Sequence, residues 1–270
     1  MLDYFLLGHE QWVIKKNILA RLFYFLFGHI NTAIRMDHSH MIRAIKALHP
    51  HDGSKILDAG CGFGGCSLYL ARTFRSCRIV GIDINHSDID NCQFIANKYS
   101  MRNVSFFLQD LNTFESPPEY DIIYNSSVLE HIRDDADLLG RFFRALRPGG
   151  HLVVSVPHKE FRSILRRHTD VPEYVWELAT PHVRDGYSEA ELMKKMTNAG
   201  FTDTNLRYAQ GTLGILSHEL TLLFWKNRIL NSLTTMLTFP VSLLFGYLDT
   251  VVHYRSGNFI LLTARKPLNS

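Results

Sequence analysis

Residues 55–65 read Lys-Ile-Leu-Asp-Ala-Gly-Cys-Gly-Phe-Gly-Gly, a short apolar run that ends in one acid and a cluster of glycines. The apolar run predicts a buried strand, and the glycines predict a sharp turn that brings bare backbone close to a ligand. The helical pattern that follows, Cys66–Phe74, would place a helix N-terminus with its free N–H groups beside that turn. Such a strand–turn–helix unit suits a nucleotide-like cofactor.

Strands and helices alternate along the chain on both sides of the glycine turn. Predicted strands cover residues 55–58, 78–83, 104–108, 120–124, 151–156, 204–208 and 258–264, and predicted helices cover 66–74, 87–99, 134–146 and 188–199. Ser188 and Glu191 have the spacing of a capping box, and Gly200 is placed to end the same helix. The pattern predicts an α/β fold, a three-layer sandwich whose seven-stranded, mostly parallel sheet has helices on both faces.

The glycine pattern alone fits two cofactors. The GxGxxG fingerprint of dinucleotide-binding folds is matched by Gly60, Gly62 and Gly65. Asp83 would then be the ribose-binding acid, so an NAD-dependent oxidoreductase is one alternative. Three features favour a different class of enzyme: Asp58 ends the first strand just before the glycines, Asp110 lies just past the third strand, and the turn 146–150 leads into the fifth strand.

Five ordered motifs resemble those of the class I methyltransferases that use S-adenosylmethionine (SAM). They are Lys55–Gly65, Gly81–Ile84, Tyr120–Ile132, Leu146–Pro157, and His182–Leu192 together with Ala199–Phe201. The resemblance covers roughly residues 50–210 and the last strand. It implies a SAM-dependent methyltransferase.

The resemblance also implies the residues that would bind the cofactor. They are Asp58, Gly60, Cys61, Gly62, Asp83, Ile84, Asp110, Leu111, Asn125 and Ser126. Asp58 would anchor the glycine loop and receive the methionine ammonium directly or through water, while the backbone of 60–62 would pack against the methionine. Asp83 would accept hydrogen bonds from both ribose hydroxyls, and Ile84 would flank the adenine.

Two further strand ends complete the expected site. Asp110 would accept a hydrogen bond from the adenine amine, and Leu111 would offer its backbone N–H. Asn125 and Ser126 would border the sulfonium. Ligands of open α/β sheets bind at the carboxyl ends of the strands, and three acids at successive strand ends fit that rule.

Methyl transfer needs a base only when the acceptor arrives protonated. His131, which follows the fourth strand, is the leading candidate because imidazole exchanges protons near neutral pH. His182, Tyr187 and Tyr124 are weaker candidates, and a local capping role for Glu130 and His131 is the alternative. No metal site is expected, because the four cysteines form no CxxC pair.

The chain divides into a core and several additions. The predicted parts are an N-terminal helical lid (1–50), a SAM-binding core (51–157), an acceptor-pocket insertion (158–187), a continuation of the core (188–211), a hydrophobic helical insertion (212–257) and the last strand with its tail (258–270). The aromatic residues Phe161, Tyr174 and Trp176 in the pocket insertion suggest an apolar or ring-bearing acceptor.

The apolar stretch 212–254 must be covered by something. It could pack on the apolar N-terminal helices, form a channel or membrane-surface face for a lipid-like acceptor, or form a homodimer interface. Cations near lipid headgroups would be Lys15, Lys16, Arg21, Lys226 and Arg228. Neither this stretch nor residues 18–30 offers the roughly 20 clean apolar residues of a spanning helix.

Composition limits the remaining functions. A net charge of +3 without a long basic stripe argues against a nucleic-acid partner, the nearest clusters being Lys15–Arg21 and Arg162–Arg167. The first ten residues lack the features of a signal peptide, and we expect a cytoplasmic protein with or without membrane association. We predict transfer of a methyl group to a small, apolar or lipid-like molecule; a non-catalytic membrane-surface module is the other alternative.

Overall fold

The computed structural model describes residues 18–28, 31–165, 182–224 and 227–269, and within them one seven-stranded sheet. Its strands are β1 Lys55–Ala59, β2 Arg78–Asp83, β3 Val104–Leu108, β4 Tyr120–Ser126, β5 Leu146–Pro157, β6 Thr202–Ala209 and β7 Phe259–Arg265. Their order is β3-β2-β1-β4-β5-β7-β6. Strands β1 to β5 are parallel, and β7 runs antiparallel to both β5 and β6. The predicted α/β fold with a mostly parallel sheet is confirmed.

The glycines predicted as a turn before the fifth strand lie inside β5. Leu146 pairs with Tyr120, and the register then shifts before Ile122 pairs with His151. Gly149 has a φ of +81°, which a glycine adopts at little cost. Glycines inside a strand often mark such an irregularity. Because the sheet pairing continues through them, β5 begins at Leu146 and not at the predicted residue 151.

Helices cover both faces of the sheet. They are α1 Ile18–Phe27, α2 Thr32–Ala47, α3 Gly65–Thr73, α4 His86–Lys98, α5 Asp135–Ala145, α6 Glu189–Asn198, α7 Thr212–Leu220 and α8 Arg228–Asp249. Successive strand residues face opposite sides. Ile56 therefore packs in a core with Ile45 of α2, while Leu57 packs in a second core with Phe142 of α5. The three predicted layers follow from this alternation.

The predicted ends of α6 are present. The Ser188 side chain accepts a hydrogen bond from the Glu191 N–H at 3.3 Å. Gly200 has a φ of +97°, and the Phe201 N–H donates to the Met196 carbonyl across it. Both ends of the helix thus have partners for backbone groups that would otherwise be unpaired.

The apolar stretch between β6 and β7 forms α7 and α8, which pack against the N-terminal helices. Phe239 of α8 is fully buried, and its ring centroid lies 5.0 Å from that of Phe23 and 5.7 Å from that of Phe27. One face of α8 is therefore covered internally, as one of the three alternatives predicted. Among the described helices, none combines the length and the apolar character that a membrane crossing requires.

A buried carboxylate connects these added helices. Asp249 at the end of α8 is inaccessible to solvent, and its Oδ2 lies 2.9 Å from His40 Nε2 of α2. The same carboxylate accepts backbone N–H groups from Gln210 at 3.0 Å and from Gly214 at 2.9 Å. Asp249 thus joins α2, the end of β6, α7 and α8 through three hydrogen bonds.

We predict that Asp249→Ala lowers the free energy of unfolding by about 3–5 kcal/mol, because it breaks a buried pair and leaves buried donors without partners. Chemical denaturation monitored by circular dichroism measures the change. The control Asp90→Ala, at a side chain 62% exposed on α4, should shift stability by no more than about 0.5 kcal/mol. Equal effects of the two substitutions would contradict this role of Asp249.

Candidate active site

The loop after β1 lies against the end of β2. The Gly60 and Cys61 N–H groups both donate to the Ile82 carbonyl at 2.9 Å. Gly60 has a φ of +90°, and a Cβ there would lie 2.4 Å from a methyl group of Val128. A Cβ on Gly62 would meet no protein atom within 4 Å. The loop therefore packs closely against Val128 at Gly60 and faces open space at Gly62. A turn that binds a ligand through its backbone requires such an open side.

Asp83 closes this loop from the end of β2. Its Oδ2 accepts the Gly62 N–H at 2.8 Å, and its Oδ1 accepts the Asn85 N–H at 2.9 Å. A carboxylate oxygen can accept two hydrogen bonds, so each oxygen keeps capacity for a further donor. This geometry is compatible with the predicted contacts to two ribose hydroxyls, and the same side chain also fixes the glycine loop.

Asp58 lies beneath the loop at the end of β1. It is buried, and its Oδ2 accepts hydrogen bonds from Ser67 of α3 and Tyr124 of β4, both at 2.6 Å. Burial raises the pKa of the Asp58 carboxyl to about 7, although these two hydrogen bonds oppose the shift. Tyr124, a weaker candidate base, is buried and uses its hydroxyl in this contact.

The end of β3 presents the predicted adenine-side residues. Asp110 accepts the backbone N–H and the side-chain amide of Asn112 on one oxygen, both at 2.8 Å, and thereby caps the 3₁₀ turn Leu111–Thr113. Leu111 is buried. Ile84, after β2, is 64% exposed. The predicted contacts of Ile84, Asp110 and Leu111 with adenine remain predictions.

The end of β4 combines the predicted Asn125 and Ser126 with an acid from α2. Asn125 is fully buried and donates to the Ala59 carbonyl at 2.6 Å, while its Oδ1 has no hydrogen-bond partner among the described residues. Asp37 accepts hydrogen bonds from Ser126 and, at 2.5 Å, from Ser155. Sequence reasoning missed Asp37, although an acid on the apolar face of a helix is a signal that could have identified it.

A second group of side chains follows β4 directly. Glu130 and His131 lie in the 3₁₀ turn Leu129–His131, and ligand atoms of these two residues and of His182 are all within 4.8 Å of one another. The two imidazole rings meet edge to face, with centroids 4.5 Å apart. The structure therefore places His131, the leading candidate base, beside His182, one of the weaker candidates, and beside the carboxyl group of Glu130.

Glu130 is the buried member of this group. Its side chain is 1% exposed, and its Oε2 has no hydrogen-bond partner in the described part of the chain. Burial raises the pKa of the Glu130 carboxyl to about 8, and the charge of Asp37 adds to the shift. Burial also lowers the pKa of His182, with a contribution from His131.

Other predicted residues include Tyr187, which the structure describes, and a set that lies outside the described residues. Tyr187, another weaker candidate base, is fully buried, and its hydroxyl oxygen lies 3.1 Å from the Leu129 carbonyl oxygen and 2.8 Å from Asp135 Oδ2. Outside the described residues lie Lys15, Lys16, Arg166, Arg167, Tyr174, Trp176 and Lys226, while the side chain of Arg228 is likewise not described.

Comparison with known proteins places the chain in a family. Residues 50–239 match a family described as "Methyltransferase domain", and the chain belongs to that family. This membership and the strand order confirm the resemblance to the class I methyltransferases that use SAM. The alternative of an NAD-dependent oxidoreductase finds no support in these findings.

Individual relatives carry more specific names. Phosphoethanolamine N-methyltransferase 1 of Arabidopsis thaliana is 31% identical over 160 residues, which are 59% of this chain and 31% of that protein. Pavine N-methyltransferase of Thalictrum flavum subsp. glaucum is 34% identical over 83 residues, 31% of this chain and 23% of that protein. The chain thus spans only a third or less of the length of these relatives.

Solved structures show the same fold. Phosphoethanolamine N-methyltransferase 2 of Haemonchus contortus, in complex with SAM, superposes with a TM-score of 0.61 at 20% identity, over 84% of this chain and 52% of that one. A SAM-dependent methyltransferase of Mesorhizobium loti gives a TM-score of 0.56 at 19% identity, over 86% of this chain and 100% of that one.

We predict that Asp83→Ala weakens SAM binding at least about tenfold, because hydrogen bonds to a charged group contribute about 1.5–3 kcal/mol each. Isothermal titration with SAM measures the dissociation constant. Asp83→Asn, which keeps one acceptor oxygen, should weaken binding less, and Asp90→Ala on α4 should leave it unchanged. An unaltered affinity in Asp83→Ala would remove Asp83 from the cofactor site.

Proposed function

We propose that the chain is a SAM-dependent methyltransferase that transfers a methyl group to a nitrogen of a small molecule. The observation that carries the proposal is the glycine loop closed by Asp83 beside two further strand ends with Asp58 and Asp110. SAM, when bound, supplies an electrophilic methyl group on a sulfonium. The protein must align the acceptor with that methyl and exclude water from the site.

A carboxyl group at the end of β4 supports a cationic acceptor. Asp37 is buried there and accepts a hydrogen bond from Ser126, which would border the sulfonium. Buried groups of one sign raise the local concentration of ligands of the opposite sign. Several relatives are named as N-methyltransferases of phosphoethanolamine or of alkaloids, so an amine acceptor agrees with the names as well as with the charges.

An amine that arrives as an ammonium must lose a proton before its lone pair can attack the methyl carbon. We propose that His131 accepts this proton. It is partly exposed, directly after β4, where an acceptor beside Ser126 would lie. His182 packs edge to face against its ring and holds the imidazole in place.

An exposed apolar face supports an acceptor with a hydrocarbon portion, taken up at a membrane surface. On α8, Leu233, Met236, Leu237 and Leu244 share one side of the helix and are 54–80% exposed. Phe25 of α1, the helix that packs on α8, is 73% exposed. Soluble monomers rarely leave such a row uncovered, and interfacial helices bind membranes through faces of this kind.

The acceptor prediction is tested with a panel of amines. We expect S-adenosylhomocysteine formation with amines that carry an apolar chain or ring, and His131→Gln should lower turnover by about 10²–10⁴-fold while SAM affinity stays the same. Mass spectrometry of the products measures both, with His86→Gln on α4 as the control. If no amine yields S-adenosylhomocysteine, the alternative of a non-catalytic module gains support and this proposal fails.

The surface prediction is tested with Leu237→Glu. Placing a charge on the apolar face should reduce co-sedimentation with lipid vesicles several-fold, because the charged group resists transfer out of water. Leu268→Glu, at a leucine that is 66% exposed outside this face, is the matched control. If Leu237→Glu instead abolishes self-association measured by analytical ultracentrifugation and leaves vesicle binding unchanged, the face is a homodimer interface and the membrane proposal is wrong.

A further inference from the structure

We propose that Glu130, His131 and His182 bind one divalent transition-metal ion of the Zn²⁺ type. Each residue offers one ligand atom, and the three atoms lie within 4.8 Å of one another. Neighbouring ligands of a tetrahedral zinc ion, with bonds of about 2.0–2.1 Å, are about 3.4 Å apart. Because both histidines are only partly buried, small rotations of their side chains would bring the three atoms to that spacing.

The set of donors suits this class of metal. Two neutral imidazoles and one carboxylate form the three-ligand arrangement of catalytic zinc sites and of other divalent transition-metal sites that keep open positions. Hard cations such as Mg²⁺ prefer oxygen ligands and retain their water. The chemistry therefore favours Zn²⁺, with Co²⁺ as a spectroscopic substitute.

A buried oxygen without a partner belongs to this group. Glu130 Oε2 has no hydrogen-bond partner among the described residues, and its side chain is 1% exposed. Ionisation of a buried carboxyl group without a partner is costly, and coordination to a cation offsets that cost. Of the nearby charges, Arg184 is bonded to Asp135 and to the Tyr187 hydroxyl, so its guanidinium is already occupied.

The three ligands come from two segments that the fold fixes together. The Val183 N–H donates to the Glu130 carbonyl at 3.1 Å, which holds His182 beside the 3₁₀ turn. Arg184 donates to the Ile132 carbonyl at 2.9 Å from the same segment. These contacts position the backbone of both ligand-bearing segments before any metal binds.

A metal at this site would compete with proton transfer. His131 cannot accept a proton while its lone pair is coordinated, so occupancy by Zn²⁺ would suppress methyl transfer; this consequence rests on the proposed function. Removal of the ion would return His131 to proton transfer. The metal would thus act as an inhibitory ligand of the acceptor side of the site.

The experiment is a titration of the full chain, first stripped with a chelator, with Co²⁺ followed by its visible absorption. We expect one Co²⁺ per chain, displaced by Zn²⁺. Glu130→Gln and His182→Gln should each weaken Co²⁺ binding by at least about tenfold. His86→Gln serves as the matched control, since His86 lies on the exposed side of α4 with Asp90 as its partner.

Thermal unfolding and SAM affinity are measured in each variant, and His182→Gln, a change at a partly exposed side chain, should preserve both. Equal Co²⁺ affinity in the wild-type protein and His182→Gln would overturn the metal site, as would the absence of binding. Failure of every amine to be methylated would overturn the proposed function and leave the Co²⁺ result standing. The two proposals therefore fail separately.

Discussion

The hydrogen bond from the Gly62 N–H to Asp83 is the contact on which the cofactor side of the molecule depends. It fixes the loop after β1 to the end of β2, so the glycine backbone and the acid face the same cleft. The parallel arrangement of β1, β2 and β3 then places Asp58, Asp83 and Asp110 along one edge of the sheet. The predicted SAM-binding residues therefore lie together because of strand direction and because Gly60 adopts a positive φ where a Cβ would clash with Val128.

The acceptor side depends on a different part of the chain. Helix α2 brings Asp37 to Ser126 and Ser155 at the ends of β4 and β5. The same helix is joined to α8 through His40 and Asp249, at the opposite end of the sequence. Packing of the helices inserted before β7 therefore stabilises the helix that carries Asp37. The helices added to the core thus support the part of the structure where we propose that the acceptor binds.

The polar residues after β4 illustrate how one group can serve two chemistries. Ligand atoms of Glu130, His131 and His182 lie within 4.8 Å of one another, a spacing on which the proposed metal site depends, and His131 is also the proposed base. The proposed metal site further depends on the buried Glu130 carboxyl, whose Oε2 has no partner in the described structure. Membership of the family explains the cofactor cleft, but the chemistry of this group is a property of the residues that this chain places there.

The sequence by itself determined the fold class and the acids at three strand ends. It also determined the strand positions to within a few residues, except at the start of β5. These features could be read from the sequence because alternating apolar runs and glycine turns are local patterns. Only the tertiary structure decided which distant residues meet. Asp37, His182 and Asp249 reach their partners over separations of 89, 51 and 209 residues, through helix packing that no local pattern encodes. It also decided that Tyr124 and Tyr187 are buried and have hydrogen-bonded hydroxyl groups, because burial and hydrogen-bond partners are set by the assembled core.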